Sequence, residues 1–135
     1  MSSTEIQPIR KLQSAARSAR AIGEYGDAEG IYRRALWLIG KKYGVSGFEY
    51  AQCLEEIAEI YELKEDWAVA EGLHKDAVAA YRERCETNYA ATALALRNLA
   101  EVCRKQGKNR DAKQFEMEAA GILYMRMQRA IDNST

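Results

Sequence analysis

The sequence predicts an all-α chain, a solenoid of three helix-turn-helix repeats with six helices. Three observations predict it. One proline and nine glycines among 135 residues, with abundant Ala, Glu, Leu, Arg and Lys, describe helices rather than turn-rich β structure. Apolar residues recur at spacings of three and four, as on a helix with one buried face. The chain also repeats itself every 42 residues: GEYGDAEGIYRRAL (23–36) aligns with EDWAVAEGLHKDAV (65–78) and GKNRDAKQFEMEAA (107–120). That register stacks Ala28, Ala70 and Ala112, then Ala35, Ala77 and Ala119, and upstream Leu12, Leu54 and Leu96 with Ala16, Ala58 and Ala100. A unit of this size cannot bury its apolar face alone, so neighbours must stack.

The repeats span residues 8–44, 47–86 and 89–131 of one domain, 1–135. Gly23, Gly44 and Gly107 punctuate turns. In the middle repeat the first helix runs from about Gly47 to Glu62, where Ser46 and Glu49 have the S-x-x-E form of a capping box. The second follows Asp66, a good N-cap acceptor, and runs to about Cys85. Asn88 and Asn109 mark the corresponding starts in the third repeat. The small residues of the two alanine stacks let helix backbones approach closely.

Composition excludes several functions. Twenty basic and twenty acidic residues balance, so net charge points neither to nucleic acid nor to an anionic membrane surface. No apolar run approaches the roughly 18 residues of a membrane span, and the N-terminus has no apolar leader segment. Cys53, Cys85 and Cys103 are odd in number and form no C-x-x-C pair, which predicts reduced thiols in a cytoplasmic protein. His74, the one histidine, has no second histidine for a metal set; it takes the place of Tyr32 and Glu116 in the other repeats and reads as a packing residue. No nucleophile elbow, Walker loop, H-E-x-x-H helix or G-x-G-x-x-G turn occurs, so neither catalysis nor a cofactor or metal is expected.

Leu54-x2-Ile57-Ala58-x2-Tyr61 followed by Ala70-x3-His74, with Trp67 three residues before Ala70, resembles the tetratricopeptide repeat. The third copy reads Leu96, Leu99, Ala100, Cys103, Ala112, Glu116 and Ala119, and the first Leu12, Ala15, Ala16, Ala19, Ala28, Tyr32 and Ala35. The match covers residues 8 to about 128. The period is 42 instead of the usual 34, which lengthens the second helix of each pair by about two turns, and the terminal proline is missing. The phrases NLAEV and DAE..YRRAL make the repeats similar to those of kinesin light chains in type, without implying motor function. The resemblance implies a right-handed α-α superhelix that binds a peptide or partner helix in a concave groove lined by the first helix of each pair.

Helical geometry picks the groove residues independently. With Leu54, Ile57, Ala58 and Tyr61 buried, Gln52, Glu55, Glu56, Glu59 and Glu62 face the other way. The first repeat places Arg10, Gln13, Ser14, Arg17 and Arg20 there, and the third Leu94, Arg97, Asn98, Glu101, Arg104 and Lys105. The face is zoned basic, acidic, basic. Either this zoning recognises a ligand, or the acidic helix pairs with its two neighbours on a solvated face. Asn98 matches the asparagine with which the family holds a ligand's backbone, whereas Ser14 and Glu56 at the same position do not reproduce the family's clamp for a C-terminal carboxylate. A ligand with a basic centre, or a mixed-charge helix, suits the face better.

The last helix carries two stripes. Ala112, Phe115, Ala119 and Ile122 belong inside, while Met117, Ala120, Tyr124, Met127 and Ile131 form a second apolar line. Either the preceding helix covers part of that line, or the helix frays past Met127, or the line mediates self-association or docks a partner. Trp37 points away from Ala35 and so off the core. Two functions follow: an adaptor without catalysis that binds a protein or peptide in the groove, or a scaffold that forms a homo-oligomer through Met117, Tyr124, Met127 and Ile131.

Overall fold

The end of each repeat's first helix and the start of its second recur at the 42-residue step. The computed structural model describes residues 3–134, the side chains of residues 3–6, 85 and 86 lying outside the description. Its helices are α1 (Ser3–Ala21), α2 (Tyr25–Tyr43), α3 (Phe48–Leu63), α4 (Trp67–Arg82), α5 (Cys85–Lys105) and α6 (Asn109–Ser134). Each packs on its chain neighbours, and α3 also touches α5. The result is a helical solenoid of three antiparallel pairs.

The three turns inside the pairs share one hydrogen-bond pattern. Gly23, Glu65 and Gly107 take the left-handed conformation, with φ of 84°, 58° and 79°. The next residue in each case donates its N–H back across the turn, Glu24 to Ala19, Asp66 to Tyr61 and Lys108 to Cys103, at 2.9, 2.8 and 2.9 Å. This closes the helix carbonyls in a Schellman arrangement. Only the middle copy lacks glycine. Asp66 caps α4 as expected, its carboxylate accepting from the Val69 N–H at 3.5 Å.

The capping box at Ser46 and Glu49 does not form. Gly47 occupies the N-cap at φ 95° and ψ −177°, so Tyr50, and not Glu49, is the third helical residue. The Gly47 N–H donates instead to the Ala80 carbonyl of α4 at 3.0 Å, tying the start of one helix to the end of its partner. The long period is also not spent on the second helices alone. The first two pairs are matched at 19 and 19 and at 16 and 16 residues, and only α6, at 26 against 21, outgrows its partner. In α5 the backbone leaves helical geometry at Asn88, with a short turn before it, and Thr92 returns its hydroxyl to the Asn88 carbonyl at 2.8 Å.

Both alanine stacks are fully enclosed, and Ala16, Ala58 and Ala100 are equally buried. One apolar cluster joins α1, α2 and α3 through Ile9, Tyr32, Ile39, Cys53, Ile57 and Ile60; the other joins α3 to α6 through Leu54, Tyr81, Leu96 and Leu99. The face by which α3 and α5 pack onto the preceding pair is apolar: Cys53, Ile57 and Ile60, then Ala95, Leu99 and Val102, all buried. The same positions of α1 are Lys11, Ala15 and Ser18, all exposed. At the other end the pattern reverses. Ile39 and Tyr81, 1% and 3% exposed, correspond to Leu123 of α6, which is 42% exposed. Met117, Tyr124, Met127 and Ile131 are exposed too, and α6 stays helical to Ser134. The described solenoid thus begins on a polar face and ends on an apolar one.

Candidate functional site

α1, α3 and α5 lie side by side and present the charged face chosen by helical geometry. Arg17 donates to Glu56 at 3.0 Å and Arg20 to Glu59 at 2.6 Å, linking α1 to α3. The Tyr32 hydroxyl also donates to Glu56, at 3.0 Å, while Oε1 of Glu56, though buried, has no partner among the described residues. From the other side Asn98 gives its amide to Glu55 at 3.2 Å. The acidic helix is therefore paired with its basic neighbour on the α1 side, but with an amide on the α5 side. Arg104 turns to Glu101 at 3.2 Å and to Glu116 of α6. Gln52, Arg10 and Arg97 are exposed.

Toward the C-terminal ends of these helices the face deepens into a pocket of about 430 Å³. Arg20, Glu59, Glu62, Leu63, Trp67, Glu101, Val102 and Lys105 line it. Five residues assigned to the groove from spacing, Arg20, Glu59, Glu62, Glu101 and Lys105, come together here; Glu55, Glu56, Asn98 and Arg17 lie on the same face. Leu63, Trp67 and Val102 were missed. Leu63 ends α3, Trp67 opens α4, and both reach the groove because the turn is only three residues long. The Lys105 ammonium lies over the Trp67 ring, 5.8 Å from its centroid. Burial pushes the Glu59 carboxyl up, and Glu62 and Glu56 push the same way, together outweighing Arg20.

His74 is 1% exposed and packs inside α4, and its Nε2 meets a Glu62 carboxylate oxygen at 3.0 Å. Its Nδ1 has no partner among the described residues. Cys53 and Cys103 are buried free thiols; burial, with Glu56 beside it, raises the Cys53 pKa to about 12, and burial raises Cys103 as well. Neither is a nucleophile at neutral pH. The thiol expected at Cys85 lies outside the described side chains. Among the described residues no group of three metal-ligating side chains assembles, and no helix is long and apolar enough to cross a membrane.

One charged residue that spacing did not assign holds the repeats together. Glu71, 6% exposed, accepts from Lys108 and Gln106 at 2.8 Å each, on the next pair's turn, and from Lys75 on its own helix. Burial raises its pKa, but the hydrogen bonds from Lys108, Lys75 and Gln106 outweigh that and hold it at about 2. Glu29, one repeat earlier, does the same with Tyr61 and Arg33. The signal was the repeated pair Glu29/Arg33 and Glu71/Lys75 at the 42-residue step.

Two tetratricopeptide repeat profiles match the sequence, one over residues 49–125 and one over residues 12–42. The chain belongs to the tetratricopeptide repeat family. Such repeats are generally protein–protein interaction modules, typically without catalytic activity. Among solved structures the fold is similar to the crystal structure of BtubC (BKLC) from P. vanneervenii, with a TM-score of 0.78 over 94% of this chain at 20% identity. The tetratricopeptide chain spans 48% of that structure, about half its length, and the likeness is one of fold. No curated protein matches the sequence.

Proposed function

We propose that this chain is a non-catalytic adaptor whose α1, α3 and α5 face takes an extended peptide or a partner helix. The observation that carries it is the pocket shared by all three first helices, lined by apolar Leu63, Trp67 and Val102 together with the charged Arg20, Glu59, Glu62, Glu101 and Lys105. Such a site combines area for burial with polar groups that fix orientation. Asn98, held by Glu55 through its amide nitrogen, keeps a carbonyl oxygen to accept from a peptide N–H. Buried thiols at Cys53 and Cys103 suit a reducing, cytoplasmic setting. Affinity capture from native lysate, compared between the wild type and Glu59→Arg/Asn98→Ala by mass spectrometry, tests this reading. An unchanged set of partners overturns it.

A second reading attaches to α6. Leu123 repeats the positions by which Ile39 and Tyr81 carry one pair onto the next, and it lies uncovered beside Tyr124 and Met127. A head-to-tail stack would set this stripe on Lys11, Ala15 and Ser18 of another copy, where an ammonium and a hydroxyl would be buried against it, an unfavourable match. Self-association is therefore closed, α6 on α6, with Met117 and Ile131 spaced evenly on either side of Tyr124. Sedimentation velocity of the wild type against Met127→Glu tests it: monomers in both at micromolar concentration remove the reading.

A further inference from the structure

The pocket at the C-terminal ends of α1, α3 and α5 has unequal charges. Arg20 is taken up by Glu59. Glu62 meets a histidine rather than a lysine or arginine, and Glu101 shares its one guanidinium, Arg104, with Glu116. The remaining cation of the lining, Lys105, lies over the face of Trp67. An indole face that holds an ammonium, next to two incompletely neutralised carboxylates, is an environment that favours a cation.

We propose that this pocket receives an arginine side chain of the partner, its methylenes on Leu63 and its guanidinium stacked on Trp67 between Glu62 and Glu101, in place of the Lys105 ammonium. Arginine fits better than lysine because a planar guanidinium can stack and donate to two carboxylates at once. This assignment rests on the groove being the docking face, and it narrows the partner to a segment carrying an exposed arginine.

The test uses the full chain with Trp37→Phe, which leaves Trp67 as its only tryptophan. The probe is the pentapeptide acetyl-Ala-Ala-Arg-Ala-Ala-amide, with the citrulline peptide as a neutral control of equal shape. Expected are a saturable change in Trp67 emission with the arginine peptide, weakened by added salt, and a half-saturation at least about tenfold higher for citrulline. Glu101→Gln, at an exposed position, weakens arginine binding, and Glu62→Gln does so as well if its helical content matches the wild type. Equal response to both peptides, no response to arginine, or indifference to Glu101→Gln overturns the assignment. The two readings fail separately. If Glu59→Arg/Asn98→Ala abolishes partner capture while the arginine peptide leaves Trp67 unmoved, docking stands and the arginine assignment falls. If the peptide binds but capture is indifferent to that variant, the pocket stands and docking falls.

Discussion

Glu62 and His74 are joined across the first and second helices of the middle pair at 3.0 Å, and the same two positions of the third pair hold Arg104 and Glu116, also joined. In these two pairs the position is a cross-helix tie of different chemistry, whereas in the first pair Arg20 and Tyr32 bond to Glu59 and Glu56 of α3. His74→Glu places two carboxylates against each other in a buried slot and is expected to cost about 3 kcal/mol. Adding Glu62→Arg copies the Arg104–Glu116 pair and restores part of the loss. Urea unfolding of the two single variants and the double variant measures the coupling, expected at about 1–3 kcal/mol.

Glu71 links its helix to the next turn, so its removal acts on the stacking of repeats. Glu71→Gln leaves Lys108 and Lys75 without their carboxylate and is expected to destabilise by about 1–3 kcal/mol, read as a lower urea midpoint. The pH dependence follows from a folded pKa of about 2 against the ordinary 4.5. Between those values the unfolded chain binds the proton and the folded chain does not, so the contribution is present above about pH 4.5 and is lost as pH falls toward 2. Glu71→Gln should flatten that part of the acid-unfolding curve.

Glu65 holds a left-handed turn where Gly23 and Gly107 hold the equivalent ones. A side chain there costs about 1–2 kcal/mol, while glycine gives back about 0.5–1 kcal/mol through the freer unfolded chain. Glu65→Gly is expected to stabilise by up to about 1 kcal/mol, raising Tm by about 3 °C. A fall in Tm would show that the Glu65 side chain makes a compensating contribution.

Cys53 is enclosed, donates to the Tyr32 carbonyl at 3.6 Å, and has its pKa raised to about 12. Iodoacetamide at pH 8 is expected to leave it unmodified in the folded protein while the urea-unfolded chain reacts, as mass spectrometry of its peptide will show. Rapid labelling of the native thiol would contradict the burial.

Period and spacing alone determined the six helices, the alanine stacks and the face of α3 that carries Glu55, Glu56, Glu59 and Glu62. These follow from local rules, because a helix turns by a fixed angle per residue and a repeat places the same residue in the same environment. What only the tertiary structure decided lies between helices. Ser46 and Glu49 look like a capping box in isolation, yet the Gly47 N–H is claimed by Ala80 from another helix. The acidic face looks continuous on a helical wheel, yet Glu56 and Glu59 are met by the guanidinium groups of Arg17 and Arg20 while Glu55 and Glu62 are met by an amide and an imidazole, those of Asn98 and His74. Leu63, Trp67 and Val102 lie in three separate helices, and no local pattern says that they share one pocket. Side-chain partners across a helix interface depend on crossing angle and register, which backbone packing sets and a one-dimensional period does not contain.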